Sequence, residues 1–247
     1  MDWPLIACVI LGAMAGGLVQ GLSGFAFGLA AMAFWAWVVP PQLAGAMVVF
    51  GALIGQVLSL NALRRGFDLR RVLPFVVAGA LGVPLGVALL FRIDQNLFKA
   101  AIGALLLLWS PLLLARTLPQ VTRGGWLADA AAGLIGGVMG GLGGLSGPVP
   151  TLWCTLRGWD KDVQRAIFQS FNLSMQVITL SLYAAEGVIT GRTLALFAIV
   201  APAVMLPSRL GLKLYARLGG AAFQRLVLVL LALSGMGLLA SALARLL

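Results

Sequence analysis

Histidine is absent from all 247 residues. That removes the commonest general base, the imidazole arm of every serine or cysteine triad, and the usual nitrogen ligand of zinc. Carboxylates are almost as scarce: Asp2, Asp68, Asp94, Asp129, Asp160, Asp162 and Glu186 make seven. All seven fall in or near the expected loops, where a carboxylate is ordinarily a solvated surface charge. Cysteine occurs twice, as Cys8 and Cys154, each inside an apolar run. Both read as small buried hydrophobes, with no disulfide or metal framework. Neither a P-loop, nor HExxH, nor a paired-carboxylate or DxxD motif is present. These absences exclude most hydrolytic and metal chemistry, and the reading is of a non-enzyme that needs no cofactor and no metal.

What the chain has in excess is apolar surface. Residues of hydrophobic type make up 61% and charged residues 10%, with a mean hydropathy of +1.05. A single soluble core of this length cannot bury so much, so the lipid bilayer is the solvent and first partner. Seventeen Lys and Arg against seven carboxylates give a net charge of +10. The basic residues lie in short loops between apolar runs, the pattern that orients a membrane protein rather than one that binds nucleic acid. The opening MDWP lacks the basic stretch of a signal peptide, so the first apolar run is read as part of the mature protein.

Breakers divide the chain into ten apolar segments, near 4–20, 25–39, 43–63, 72–91, 97–115, 127–142, 148–157, 163–185, 193–208 and 222–246. A helix needs about 20 residues to cross the hydrocarbon. The seventh segment is too short and the second and sixth are marginal. The first and second, and again the sixth and seventh, are therefore expected to form broken or re-entrant pairs, with the other six as complete spans. An external N-terminus places thirteen positive residues in inside loops and four outside (Arg92, Lys99, Arg192 and Arg245), which also puts the C-terminus outside. Trp3, Trp35, Trp37, Trp109, Trp126 and Trp159 fall near segment ends, as an interfacial belt would.

The halves resemble each other. GLSG occurs at 21–24 and again at 144–147, and Gln56 lies 120 residues before Gln176. Five segments per half is an odd number, so the second half enters from the opposite side. The fold class expected is an all-α polytopic membrane protein of two inverted repeats. The first repeat covers 1–115, a basic cytoplasmic linker 116–126 and the second repeat 127–247, all within one membrane domain.

A GLSG break ends one helix and starts another, with Ser23 and Ser146 as N-cap candidates and Pro148 at a tolerated first-turn position. Free N–H groups at such starts attract anions, and irregular backbone at membrane depth must line a cavity or be buried in protein. Two such starts in inverted repeats are expected to meet near the midplane and hold one anion, which alternating access would carry across. The competing reading is close helix packing through small-xxx-small pairs such as Gly17/Gly21 and Gly140/Gly144. The eighth segment adds Gln169, Asn172, Gln176 and Thr179 at spacings of 3, 4 and 3, hence one face, and the first half offers Gln56 and Ser59. Such a face looks into a wet cavity or hydrogen-bonds to neighbouring helices. The candidate substrate-binding set is Gly21, Ser23, Gly24, Gln56, Ser59, Gly144, Ser146, Gly147, Gln169, Asn172 and Gln176, and the partner is a small anion. GLSG also matches the GxSG motif of rhomboid proteases, but that serine needs a histidine base. Arg209, Lys213 and Arg217 share a helix face that serves membrane anchoring or an anion-attracting vestibule.

At this point the sequence resembles the sulfite exporter TauE/SafE family of bacterial anion permeases over nearly its full length. The resemblance is carried by "GAMAGGLVQGLSGFAFG", "GLIGGVMGGLGGLSGP", "NALRRGFDLRRVLPF" and "RLGLKLYARLGGAAFQRLVLVLLALSG", in that order and spacing. It implies outward transport of sulfite, organosulfonates or other sulfur-containing anions across the bacterial inner membrane. The family's glycine-rich breaks would map onto Gly21–Gly24 and Gly144–Pro148. Phe25 and Phe27 stand where many relatives are richer in glycine, which implies a narrower pocket or one shaped for an organic anion. Two other roles stay open: an intramembrane enzyme, against which the missing histidine argues, and a non-transporting membrane subunit or assembly factor packed through its glycine-rich helices. The partner expected besides the anion and the bilayer is a second copy, as a homodimer.

Overall fold

The computed structural model describes residues 3–58, 67–114, 120–121, 124–217, 232–233 and 235–244. These residues are helical and contain no strand. The elements are α1 (Trp3–Ser23), α2 (Phe27–Trp35), α3 (Pro41–Leu58), α4 (Leu69–Leu90), α5 (Gln95–Leu114), α6 (Gly125–Gly143), α7 (Pro148–Leu156), α8 (Lys161–Ala185) and α9 (Gly191–Arg217). A further apolar helix, α10, covers Gly235–Ala244. Five of them, α1, α3, α4, α6 and α9, are long and apolar enough to cross a membrane. The expected tenth span is described only over α10 and its near neighbours.

Helix starts are set by local chemistry. Asp68 accepts from Arg70 N at 3.0 Å to begin α4, and Asp160 accepts from Asp162 N at 2.9 Å to begin α8. Asp94 accepts from the amides of Asn96 and Leu97 at the head of α5. Each carboxylate fills an amide that the first turn leaves open. Along α4, Leu69, Leu73, Val77, Leu81, Leu85 and Leu89 recur every four residues and are all exposed. In water this stripe would drive aggregation; against acyl chains it is the outer wall of a bundle.

Both short helices fold back on the helix before them. Phe27 of α2 packs at Gly16 of α1, and Trp35 Nε1 donates to Val9 O at 3.2 Å. Pro150 of α7 packs at Gly136 of α6, and Trp153 Nε1 donates to Asp129 Oδ1 at 2.7 Å. The expected pairs are thus hairpins, each with a nine-residue return arm of roughly 14 Å at helical rise. The longer arms, α1 and α6, have 21 and 19 residues. The sixth segment is therefore of spanning length rather than marginal.

The hairpins are clamped by exchange between the halves: α1 lies along α9, and α6 along α4. At these seams backbone touches backbone. A Cβ on Gly21 would run into Ser208 O, and one on Gly141 into Val83 O. Gly17 meets Val204 O as Gly137 meets Gly79 O, and Gly211 meets Leu18 O as Gly86 meets Val138 O. Each α6 residue follows its α1 counterpart by 120 positions, and each α9 residue follows its α4 counterpart by 125. Membrane helices gain no hydrophobic drive against lipid, so close van der Waals contact of this kind carries their association. The prolines inside α4 (Pro74, Pro84) and α9 (Pro202, Pro207) are tolerated where neighbouring helices cover the freed carbonyls.

This register corrects the sequence alignment. The two GLSG copies, 123 residues apart, are not equivalent. The left-handed residues that end α1 and α6 are Gly24 (φ 85°) and Gly144 (φ 73°), again 120 apart. In the first half GLSG closes a helix; in the second it begins after the helix has ended. At these two helix ends the positive φ makes glycine the fitting residue.

Candidate functional site

The first break is stitched by Ser23. Its hydroxyl donates to Val19 O at 2.8 Å and accepts from the amides of Phe25 (3.4 Å) and Ala26 (3.1 Å). Ser23 is not the N-cap of α2, as the sequence led us to expect; that position is Ala26, without a side-chain bond. Gln56 Nε2 of α3 donates to Gly24 O at 3.0 Å, satisfying a carbonyl that the broken helix leaves free. The second break turns at Gly144, whose amide bonds Gly140 O at 2.7 Å while Leu145 N reaches Met139 O at 3.2 Å. Ser146 does not cap α7 either. Gly147 is the N-cap, Pro148 takes the first turn as expected, and Ser146 Oγ donates to Asn172 Oδ1 at 2.9 Å.

The two breaks meet. A Cβ on Gly147 would lie 3.0 Å from the Phe25 ring and 3.2 Å from Asn172 Nδ2, and Gly28 abuts Leu145. Phe25 stands edge-on to Phe168 at 5.9 Å and to Trp109 at 6.4 Å between centroids. The N-terminal ends of α2 and α7 thus face one junction, walled by three aromatic rings and by the polar face of α8.

That face is buried and under-satisfied. Gln169, Asn172, Gln176 and Thr179 are between 1% and 4% exposed. Neither amide atom of Gln169 has a hydrogen-bond partner, nor has Asn172 Nδ2, Gln176 Oε1 or Thr179 Oγ1. A buried polar group without a partner costs about 1–3 kcal/mol, and several on one helix face ask for a ligand or water. Trp109 Nε1 is a further buried donor without a partner.

The structure sorts the other expected residues. Gly21 lies outside the junction, its Cα pressed on the α9 backbone. Ser59 falls outside the described residues. Gln20 was not singled out from the sequence, yet it is 2% exposed, donates to Ala52 O at 2.9 Å and leaves Oε1 unpartnered. Its only sequence signal is being the lone amide in the apolar stretch of α1. Asp129, expected as a solvated loop charge, is buried in α6. It accepts from Trp153 and pairs with Arg157 at 3.5 Å. Arg157 and Arg71 stack over Trp159 at 5.0 and 5.5 Å, gathering positive charge below the second hairpin. Among the described residues no group of three His, Cys, Asp or Glu could hold a metal ion.

Helices of spanning length, two helical hairpins and a buried, under-satisfied polar face beside their junction define an all-helical membrane protein. Residues 8–238 match the family model of sulfite exporter TauE/SafE, and the chain belongs to that family, one of membrane anion transporters. No curated protein and no solved structure matches it.

Proposed function

We propose that the chain exports small sulfur-containing anions, such as sulfite or an organosulfonate, across the bacterial inner membrane by alternating access, with the anion held where the two breaks meet. The observation that carries this reading is the set of buried, unpartnered amide atoms on α8 beside that junction. The dipoles of α2 and α7 point their positive ends the same way. Direct donation, however, falls to side chains. Ser23 already occupies two amides of the first break, and Pro148 and Pro150 bring no N–H to the second. Asn172 Nδ2 and Gln169 Nε2 are the donors in reach of a sulfur oxyanion. Being uncharged, they bind without the tight hold of a buried fixed charge, which suits a site that must also release.

The exchanged packing of α1 on α9 and α6 on α4, repeated at constant residue separations, supports two inverted repeats rocking about a shared site. The excess of basic residues in the loops after α3, α5, α7 and α9 supports termini outside. The deciding experiment is sulfite flux in proteoliposomes. The wild type is expected to move sulfite, and Asn172→Leu to lower flux about tenfold or more, the worth of a hydrogen bond to a charged ligand. Insertion and folding should be retained. A wild type that moves no sulfur oxyanion overturns the assignment. Undiminished flux in the variant removes Asn172 from the site.

A further inference from the structure

At the far end of the bundle from the second hairpin's arginines, α4 and α8 finish side by side around an open cavity of about 330 Å³. Its wall is mixed: Pro84, Val87, Phe91 and Leu182 supply apolar surface, and Arg92 and Glu186 line it with charge. Among the described residues no ion pair joins these two charges to each other. An opening with a cation and an anion facing the same space is matched by a ligand carrying both signs. Two helix C-termini, capped at Phe91 and Glu186, add partial negative charge, which favours an ammonium near Glu186. Arg92 supplies the planar fork that suits a phosphate.

The surroundings fix the source of such a ligand. Pro84 and Ala88 of the cavity lie three and seven residues after Leu81, so they continue the helix face of α4 that Leu81 and Leu85 expose at 69% and 61%. The cavity therefore opens onto the acyl-facing side of the bundle. We propose that it is a binding site for a phospholipid bearing both a phosphate and a primary ammonium, its headgroup between Arg92 and Glu186 and its chains on the α4 stripe. The site lies apart from the helix-break junction and does not depend on what that junction transports.

The test is thermal unfolding of the detergent-purified protein titrated with phosphatidylethanolamine, phosphatidylcholine or phosphatidylglycerol. The wild type is expected to show roughly two- to fivefold tighter stabilisation by phosphatidylethanolamine than by phosphatidylcholine, which has the same phosphate but no N–H donor. Glu186→Gln should abolish that preference, and Arg92→Gln should weaken the response to all three lipids. Both side chains are exposed, so the variants should fold. An equal wild-type response to phosphatidylethanolamine and phosphatidylcholine overturns the proposal, as does a preference that survives Glu186→Gln. Stabilisation by soluble glycerophosphoethanolamine equal to that of the lipid would overturn the assignment to a membrane lipid.

Discussion

Asn172 spends its carbonyl on Ser146 and keeps its amide nitrogen free, so a near-isosteric change separates shape from donation. Asn172→Asp preserves volume, removes two N–H donors and adds a charge that repels an anion. Flux should fall further than with Asn172→Leu, by about a hundredfold, and retained flux would mean that nothing negative passes this side chain. Gln176→Leu should also reduce flux while leaving insertion intact, as measured in the same vesicles. Asp129 belongs to stability instead. Its carboxylate is held by Trp153 and Arg157, and Asp129→Asn removes a negative charge from beside a largely buried guanidinium. The expected loss is about 1–3 kcal/mol, read as a lower melting temperature in detergent. An unchanged melting point would show that the pair contributes nothing. The burial of Asp129 was illegible in the sequence because its partner lies 28 positions on, across a turn whose geometry no local pattern specifies.

At the scale of the element, the hairpins depend on two kinds of glycine. Gly24 and Gly144 turn the chain, whereas Gly21 and Gly141 let whole helices touch. Gly141→Val would push the α4 backbone away along the seam. It should deplete folded protein on size-exclusion chromatography, while Leu85→Ala on the exposed stripe of α4 should not; equal recovery of both would refute the close approach. Segment lengths made the hairpins readable, since nine or ten residues cannot cross a bilayer. Their internal register was not readable. A repeated tetrapeptide drew the alignment to GLSG, but a left-handed helix end needs only one glycine, and Gly24 and Gly144 occupy different positions within that motif. Serine likewise suits both an N-cap and an i−4 back-bond, and Ser23 takes the latter because Val19 O lies within 2.8 Å.

For the whole molecule, the all-helical membrane class was legible because hydropathy and segment count are sums over many residues, insensitive to any one contact. That the two breaks would meet was expected from their repetition; which side chains wall the junction, Phe25, Trp109 and Phe168 among them, was not legible, since that depends on how distant helices pack. One global consequence is open to a direct test. A reporter fused after Leu247 should be accessible from outside intact cells, and a cytoplasmic signal would break the parity on which opposed repeats rest.

The exchanged clamp also constrains the order of assembly. As α1 leaves the ribosome, the surface it is shaped to press against is α9, which begins at Gly191. For most of synthesis the first hairpin must wait in lipid with its small-residue groove unfilled, and the two seams close only late, across long sequence separations that make such pairing slow. A nascent chain released early is then an unlatched intermediate rather than half a protein, open to membrane quality-control proteases until the ninth helix arrives.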